Sequence, residues 1–248
     1  MTQLSYHAII AGIDIWYAMR YEMTVRYMGT YINAANEKSD KNLVLVKDYE
    51  FQDWKRLGNE VDAYGEYSLL SLQTSIALFE YQRFIFHSVA MRWHEKAWLL
   101  TAPPGVGKST QYKNLKELYP DEVDIISGDR PVIQIMEDQS IMVHPSPWNG
   151  KENWHGADAA PLSGIIILKQ GQENAIKPLT AKEAAMGVFM SVFHSYDDEQ
   201  TVRKAAKMAT ALLKHTPVWL LTNMGDYDSS ILLYKTMKQW ENEHGDEV

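Results

Sequence analysis

Residues 102–110, APPGVGKST, set a lysine and two hydroxyls directly behind a Gly-Val-Gly turn. Ala102, Gly107, Lys108 and Ser109 satisfy the spacing of a phosphate-binding P-loop: Ala or Gly, four residues, Gly-Lys, then Ser or Thr. Gly105 and Gly107 permit positive φ and a close backbone approach to an anion, with no Cβ in the way. Pro103 and Pro104 stiffen the entry, and the six N–H groups from Gly105 through Val106 to Thr110 follow them as consecutive donors. A nest of that kind at a helix N-terminus attracts phosphate. Lys108 then reaches the β- and γ-phosphates of a nucleotide, and the Ser109 hydroxyl ligates Mg²⁺. The predicted cofactors are ATP and Mg²⁺.

A second group is needed to hold the metal or to take a proton from an attacking hydroxyl. VDIISGDRPV supplies Asp129 at the end of a strand, about twenty residues downstream of the loop. The alternative reading of Asp129 is a turn residue before Arg130-Pro131. HPSPWNGKENWHG (144–156) crowds His144, Trp148, Lys151, Glu152, Trp154 and His155 into one Pro/Gly-rich loop. Lys151 could neutralise a transferring phosphoryl group. Trp148 could wall the site or plug the core, and the two histidines read as ordinary loop residues.

These residues need a scaffold that presents them together. WLLTA before the loop reads as a buried strand and STQYKNLKELYP after it as a helix stopped by Pro120. HAIIAGIDIWYA and MTVRYMGTYI read as strands, LVLVKD as a short strand, and residues 66–83 as a helix. FIFHSVAMRW and KAWLLTA make two strands around His94-Glu95, PVIQIM and SIMVH a hairpin, and SGIIILK a strand covered on both faces. Thr180 and Glu183 form a capping box that opens a helix; DEQTVRKAAKMATALLKH and SSILLYKTMKQWENEH are further helices, with PVWLLTN a strand between them. The polar stretch 33–42 is a loop, and an acidic tail closes the chain. The expected class is α/β with a mixed sheet. Residues 1–83 form a β-rich N-terminal portion with a helix, packed on a P-loop core and C-terminal helices at 84–248.

Composition narrows the partners. A net charge of −8 argues against nucleic acid as a partner. No run approaches the ~18 apolar residues of a membrane helix, and the N-terminus has no signal-peptide pattern, so no membrane partner and a cytoplasmic location are expected. There is no cysteine, which excludes thiolate catalysis and disulfides. Eight tryptophans and fourteen tyrosines suit a core or a homo-oligomer interface equally.

FHSVAMRWHEKAWLLTAPPGVGKST, DIISGDRPVI, PSPWNGK and PLSGIIILKQG together resemble the kinase domain of the HPr kinase/phosphorylase family, and more closely its shorter bacterial HPr-kinase-like members. That superfamily shares its core with phosphoenolpyruvate carboxykinase. The resemblance is clearest over residues 84–171. It implies that Gly105 to Thr110 bind ATP phosphates and that Ser109 and Asp129 hold Mg²⁺. It also implies that His87 lies near the active site and that Lys151 is the lysine of the PW-x-GK segment. The chain departs from HPr kinase at Gly128, where the family carries a second acidic residue. The implied activity is transfer of the γ-phosphoryl group to a hydroxyl: a Ser or Thr of a peptide or protein, or a small hydroxy compound. A non-catalytic ATP sensor or assembly protein is the competing reading, and a carboxykinase-like or phosphorylase reaction ranks third.

Overall fold

A computed structural model describes residues 4–35, 41–156 and 158–244. The loop residues 36–40 and the tail from 245 lie outside them.

The chain opens with a hairpin of β1 (Leu4–Ile10) and β2 (Ile13–Met19), in register from Leu4 against Met19 to Ile10 against Ile13. Ala11 and Gly12 form its turn with φ of 48° and 79°, and two positive φ values match the twist of a two-residue hairpin. α1 (Glu22–Met28), β3 (Ile32–Ala34) and β4 (Leu43–Leu45) follow, giving a sheet in the order β3-β1-β2-β4. α2 (Asp48–Arg56) and α3 (Ala63–Leu78) come next, and Leu70 and Leu78 of α3 share a core with Ile10, Ile15 and Tyr17.

Residues 23–32, expected as a strand, are mostly α1. The buried Glu66 carboxylate accepts hydrogen bonds from Arg20 N (2.7 Å), Tyr21 N (3.2 Å) and Thr24 Oγ1 (2.6 Å). That anchor turns the chain at the end of β2 and lays Thr24 and Met28, one turn apart, inward. Tertiary packing therefore overrides the β preference of the segment.

The larger sheet begins with β5 (Arg83–Ile85), β6 (Val89–Trp93) and β7 (Lys96–Thr101), and the first two were expected as one strand. Phe86 to Ser88 interrupt it, because Phe86 N bonds Pro131 O (3.0 Å) and His87 N bonds Ser191 O (2.7 Å) instead of a neighbouring strand of the ladder. The chain continues through α4 (Lys108–Leu118), β8 (Val123–Ser127), β9 (Val132–Ile135), β10 (Ile141–His144) and β11 (Ala160–Gln170). It then forms β12 (Ala175–Leu179), α5 (Ala181–Ser191), α6 (Glu199–His215), β13 (Val218–Asn223) and α7 (Tyr227–His244).

The strand order is β5-β9-β10-β11-β7-β6-β8, with β13 also paired to β11 and β12 to β13. β7, β11 and β13 run parallel. β6 is antiparallel to both β7 and β8, so those two strands end at the same edge. Side chains alternate along β7. Ala97 and Leu99 join Val188, Ala205 and Leu212 of α5 and α6, while Trp98 and Leu100 join Leu115 of α4 and Leu233 and Met237 of α7. The result is a mixed α/β layer structure with helices on both faces of the sheet. The N-terminal core continues into it through Ile85, Val132 and Trp148. Among the described residues no helix is long and apolar enough to cross a membrane.

Candidate phosphate-binding cleft

β7 ends at Thr101 and α4 begins at Lys108; the six residues between them form a loop at the sheet edge. Gly105 (φ 80°) and Gly107 (φ 117°) both occupy conformations that favour glycine. A Cβ on Gly105 would meet nothing within 4 Å, so the backbone there faces open space. Gly107 is the N-cap of α4 and supplies no side-chain cap, so the N–H groups of the first turn have no partner inside the helix. Of the six expected donors, Val106 N bonds Pro103 O at 3.4 Å, leaving five.

The loop is tethered from beneath by contacts that local pattern does not reveal. Gln170 Nε2, at the end of β11, donates to Gly105 O (3.2 Å). Fully buried Gln111 donates to Ser229 Oγ (2.6 Å) and accepts from Ser230 Oγ (2.8 Å), tying the first turns of α4 to α7. Asn223 Nδ2 donates to Lys169 O (3.0 Å) and leaves its Oδ1 beneath Gly107.

Lys108 is 9% exposed and donates to Ala102 O (2.9 Å), so the lysine rests on its own loop. Burial pulls its pKa below the ordinary lysine value, and the nearby Asp129 charge opposes that shift.

Asp129 follows β8 at the same edge. Its Oδ1 lies 3.3 Å from His87 Nε2 and its Oδ2 3.1 Å from Arg130 Nε. The second contact is an ion pair whose geometry does not make a hydrogen bond. Burial alone would raise the Asp129 pKa; the close His87 imidazole and the Arg130 and Lys108 charges outweigh it and hold the carboxyl below its usual value. Arg130 is fixed in turn, donating to Ser71 Oγ of α3 (2.8 Å) and lying 4.8 Å from the Phe193 ring centre.

A cleft of about 610 Å³ brings together His87, Lys108, Ser109, Asp129, Lys151 and Glu152. Gly105, Gly107 and Thr110 also line it, whereas Ala102 is buried behind and Val106 packs into the core beside α4. His87 sits in the break between β5 and β6 rather than within a strand. Trp148 does not wall the cleft: it is fully buried, with Nε1 donating to Tyr67 O (2.8 Å). His144 pairs with Gln134 (2.8 Å) and His155 contacts Asn153 O (3.2 Å), neither of them lining the cleft.

Gly128 has a steric reason. A Cβ there would stand 2.7 Å from Asn149 O and 3.1 Å from Trp154 O, while its own N–H bonds Trp154 O (2.8 Å). A second acidic side chain does not fit between β8 and the 149–154 loop. Reading along the chain also missed Tyr64, Lys113, Arg130 and Phe193 as cleft residues. Arg130 adjoins Asp129 in sequence; Tyr64 and Phe193 come from distant elements and leave no local signal.

No protein-family model matches the sequence, and no curated protein matches it. Among solved structures the chain is similar, at the level of fold only, to the HPr(Ser) kinase/phosphatase from Coxiella burnetii. The TM-score is 0.38 and the identity 9%, covering 65% of this chain and 98% of that one.

Proposed function

We propose that the chain is a Mg-ATP-dependent phosphotransferase acting on a hydroxyl. The observation that carries this reading is the convergence of the Lys108-Ser109 helix start and Asp129 on one cleft, each at the end of a strand of the same sheet. The resemblance of residues 84–171 to HPr kinases supports it. The residues present fit the group: open backbone at Gly105, uncapped N–H groups at α4, a buried ammonium, and a Ser109 hydroxyl without a hydrogen-bond partner among the described residues.

Mg-ATP, when bound, supplies the transferable phosphoryl group and a divalent charge. The loop amides from Gly105 and from Gly107 to Thr110 would cradle phosphate oxygens. Lys108 would exchange Ala102 O for a charged acceptor. Ser109 and Asp129 would hold the metal, an oxygen set that suits Mg²⁺. Lys151 and Arg130 place positive charge at the mouth of the cleft. Asp129, steadied by His87, orients the acceptor hydroxyl and takes its proton; its depressed pKa is tolerable because phosphoryl transfer depends more on positioning and charge than on base strength.

Gly128 supports the second reading, a nucleotide-binding protein without transfer, because packing excludes a second acid beside Asp129, so that either Asp129 serves as both base and metal ligand or His87 or Glu152 supplies the base. Calorimetric titration of Mg-ATP into wild type, Lys108→Ala and Asp129→Asn tests the first step. Loss of a charge-assisted bond of about 1.5–3 kcal/mol predicts at least tenfold weaker binding for Lys108→Ala. Equal binding by wild type and Lys108→Ala refutes the phosphate cradle. Asp129→Asn is expected to retain much of the affinity and lose transfer, and unchanged transfer refutes its role.

A further inference from the structure

The cleft has a wall unsuited to phosphate. Tyr64, in the first turn of α3, and Phe193, two residues past α5, line it along with the charged groups. Exposed apolar side chains follow each outside the cleft, through ring contact with Tyr27 at Tyr64 and on the flanking segments 186–190 and 196 at Phe193.

On the N-terminal side Tyr64 is 50% exposed and meets Tyr27 of α1 edge-on, ring centres 6.2 Å apart. Met23 and Val61 are exposed on the same two segments. Tyr67 and buried Trp148 back these rings in a ladder of contacts at 6.1 and 6.2 Å, so the patch is rigid.

On the other side α5 runs from the far end of the sheet, where Leu179 pairs with Val218, to the cleft, where Ser191 Oγ meets Thr101 Oγ1 (2.7 Å). Ala184, Val188 and Ser191 face inward. Met186 and Met190, one turn apart on the outer face, are 69% and 54% exposed. Tyr196, 60% exposed, packs on His194 with ring centres at 4.4 Å and reaches Met190 Sδ at 3.8 Å.

Exposed carboxylates fringe both patches. Glu22, Glu60 and Asp62 lie beside the first and Asp197, Asp198 and Glu199 beside the second; Arg26 and Lys182 are cations on α1 and α5, and on α6 Arg203 pairs with Glu199 (2.5 Å) and Lys204 with Glu80. Glu22, Glu60 and Asp197 have no side-chain partner among the described residues. The cleft thus carries four cations, Lys108, Lys113, Arg130 and Lys151, against Asp129 and Glu152, and the segments on either side of it carry exposed apolar side chains and the unpartnered carboxylates Glu22, Glu60 and Asp197.

We propose that this track docks an extended polypeptide segment of the phosphoryl acceptor. The segment carries Ser or Thr at the cleft, apolar side chains on both sides, and Lys or Arg further out. The inference rests on the phosphotransferase reading and names its acceptor class. Tyrosine and methionine dominate the track, the first a rigid anchor and the second an adaptable one, and both are enriched at protein interfaces. The outer carboxylates select basic ends by charge complementarity. A small hydroxy compound would occupy the cleft alone and would make no use of Met186, Met190 or Tyr27.

The test uses a fluorescein-labelled peptide with a central Ser, Leu or Phe on each side and two Lys or Arg at each end. A control peptide has Glu at the ends. Anisotropy measures binding to the full chain, and a separate titration with a fluorescent ATP analogue measures nucleotide binding. The basic peptide is expected to bind at least tenfold tighter than the acidic one. Met186→Ser/Met190→Ser is expected to weaken it about tenfold while nucleotide affinity holds, and Glu60→Lys/Asp197→Lys to erase the preference for basic ends. Nucleotide binding with no peptide preference, or peptide binding indifferent to these changes, overturns the docking surface. Peptide binding with no nucleotide binding overturns instead the phosphotransferase reading on which the acceptor role rests.

Discussion

Replacing Gly128 with alanine asks whether packing, rather than loss of a catalytic group, explains why β8 is followed by one carboxylate, Asp129, and not by two adjacent ones. The new methyl would meet Asn149 O at 2.7 Å and Trp154 O at 3.1 Å. Both are backbone oxygens, so no side-chain rotation relieves the overlap, and the 149–154 loop must move by several tenths of an ångström. Overpacking of this kind costs about 1–3 kcal/mol. The lower entropy of an unfolded alanine returns roughly 0.4–1 kcal/mol. A net loss of about 1–2 kcal/mol should lower the melting temperature of a chain this size by about 2–8 °C. The same displacement reaches the site, because a Cβ on neighbouring Gly150 would already stand 3.1 Å from Asp129 Cβ. Thermal unfolding by circular dichroism, paired with Mg-ATP titration, measures both effects. Gly128→Asp should be at least as destabilising and should not raise transfer. A Gly128→Ala protein with wild-type melting and wild-type nucleotide affinity would refute the steric account, and a more active Gly128→Asp would show that the site had room for a second acid.

Trp148→Ala removes a fully buried ring and its bond to Tyr67 O; the expected loss is about 3–5 kcal/mol by denaturant titration, and an unshifted midpoint would contradict its place in the core. His144 is held neutral by burial, with Arg83 adding to the effect, its pKa pushed down to about 4. Between about pH 6.5 and 4 the unfolded chain therefore binds the proton and the folded chain does not, so stability falls on acidification by up to about 1.4 kcal/mol per pH unit. His144→Gln should flatten urea midpoints across that window. Asp129 has the opposite sign of shift relative to its charge: its pKa is lowered, so its contribution is present above the ordinary carboxylate value near 3.9 and is lost as pH falls through the folded value. Asp129→Asn should lower stability at neutral pH and lose less of it below about pH 4; parallel acid limbs would show that its partners do not stabilise the charge.

Signals that act within a few residues were the legible ones. The glycine loop between a buried strand and a helix, the Thr180–Glu183 capping box and the alternation along β7 each carry their cause locally, and they stand where expected. Residues 23–32 read as a strand because the cause of α1, the Glu66 carboxylate, lies 42 residues from Thr24. α2 leaves little signal in the sequence: its start depends on Lys47 N bonding Glu50 (2.7 Å) and it buries only Phe51. β12 (AIKPL) looks like a loop, with a lysine and a proline, yet an edge strand on β13 tolerates both. In the site, Lys108, Ser109, Asp129 and Lys151 could be named from type and spacing. Tyr64 and Phe193 could not, since only the folded sheet brings α3 and the segment after α5 to the same cleft.

That dependence on α3 assigns the N-terminal portion a physical task. Tyr67 Oη donates to Pro147 O (2.6 Å), Trp148 Nε1 donates to Tyr67 O, and Arg130 Nη1 donates to Ser71 Oγ. One helix therefore grips both sides of Asp129: the 147–152 strip that carries Lys151, and the arginine that faces its carboxylate. Arg130 N bonds Trp148 O (3.1 Å) and closes the circuit. A cationic cleft whose charges sat on untethered loops would reorganise around each ligand and lose part of its electrostatic advantage; one whose charges are held in advance does not. The glycine loop is held in the same way from below by Gln111, Asn223 and Gln170. The two halves of the site are thus fixed by different parts of the chain, α7 with the strand ends on one side and α3 on the other.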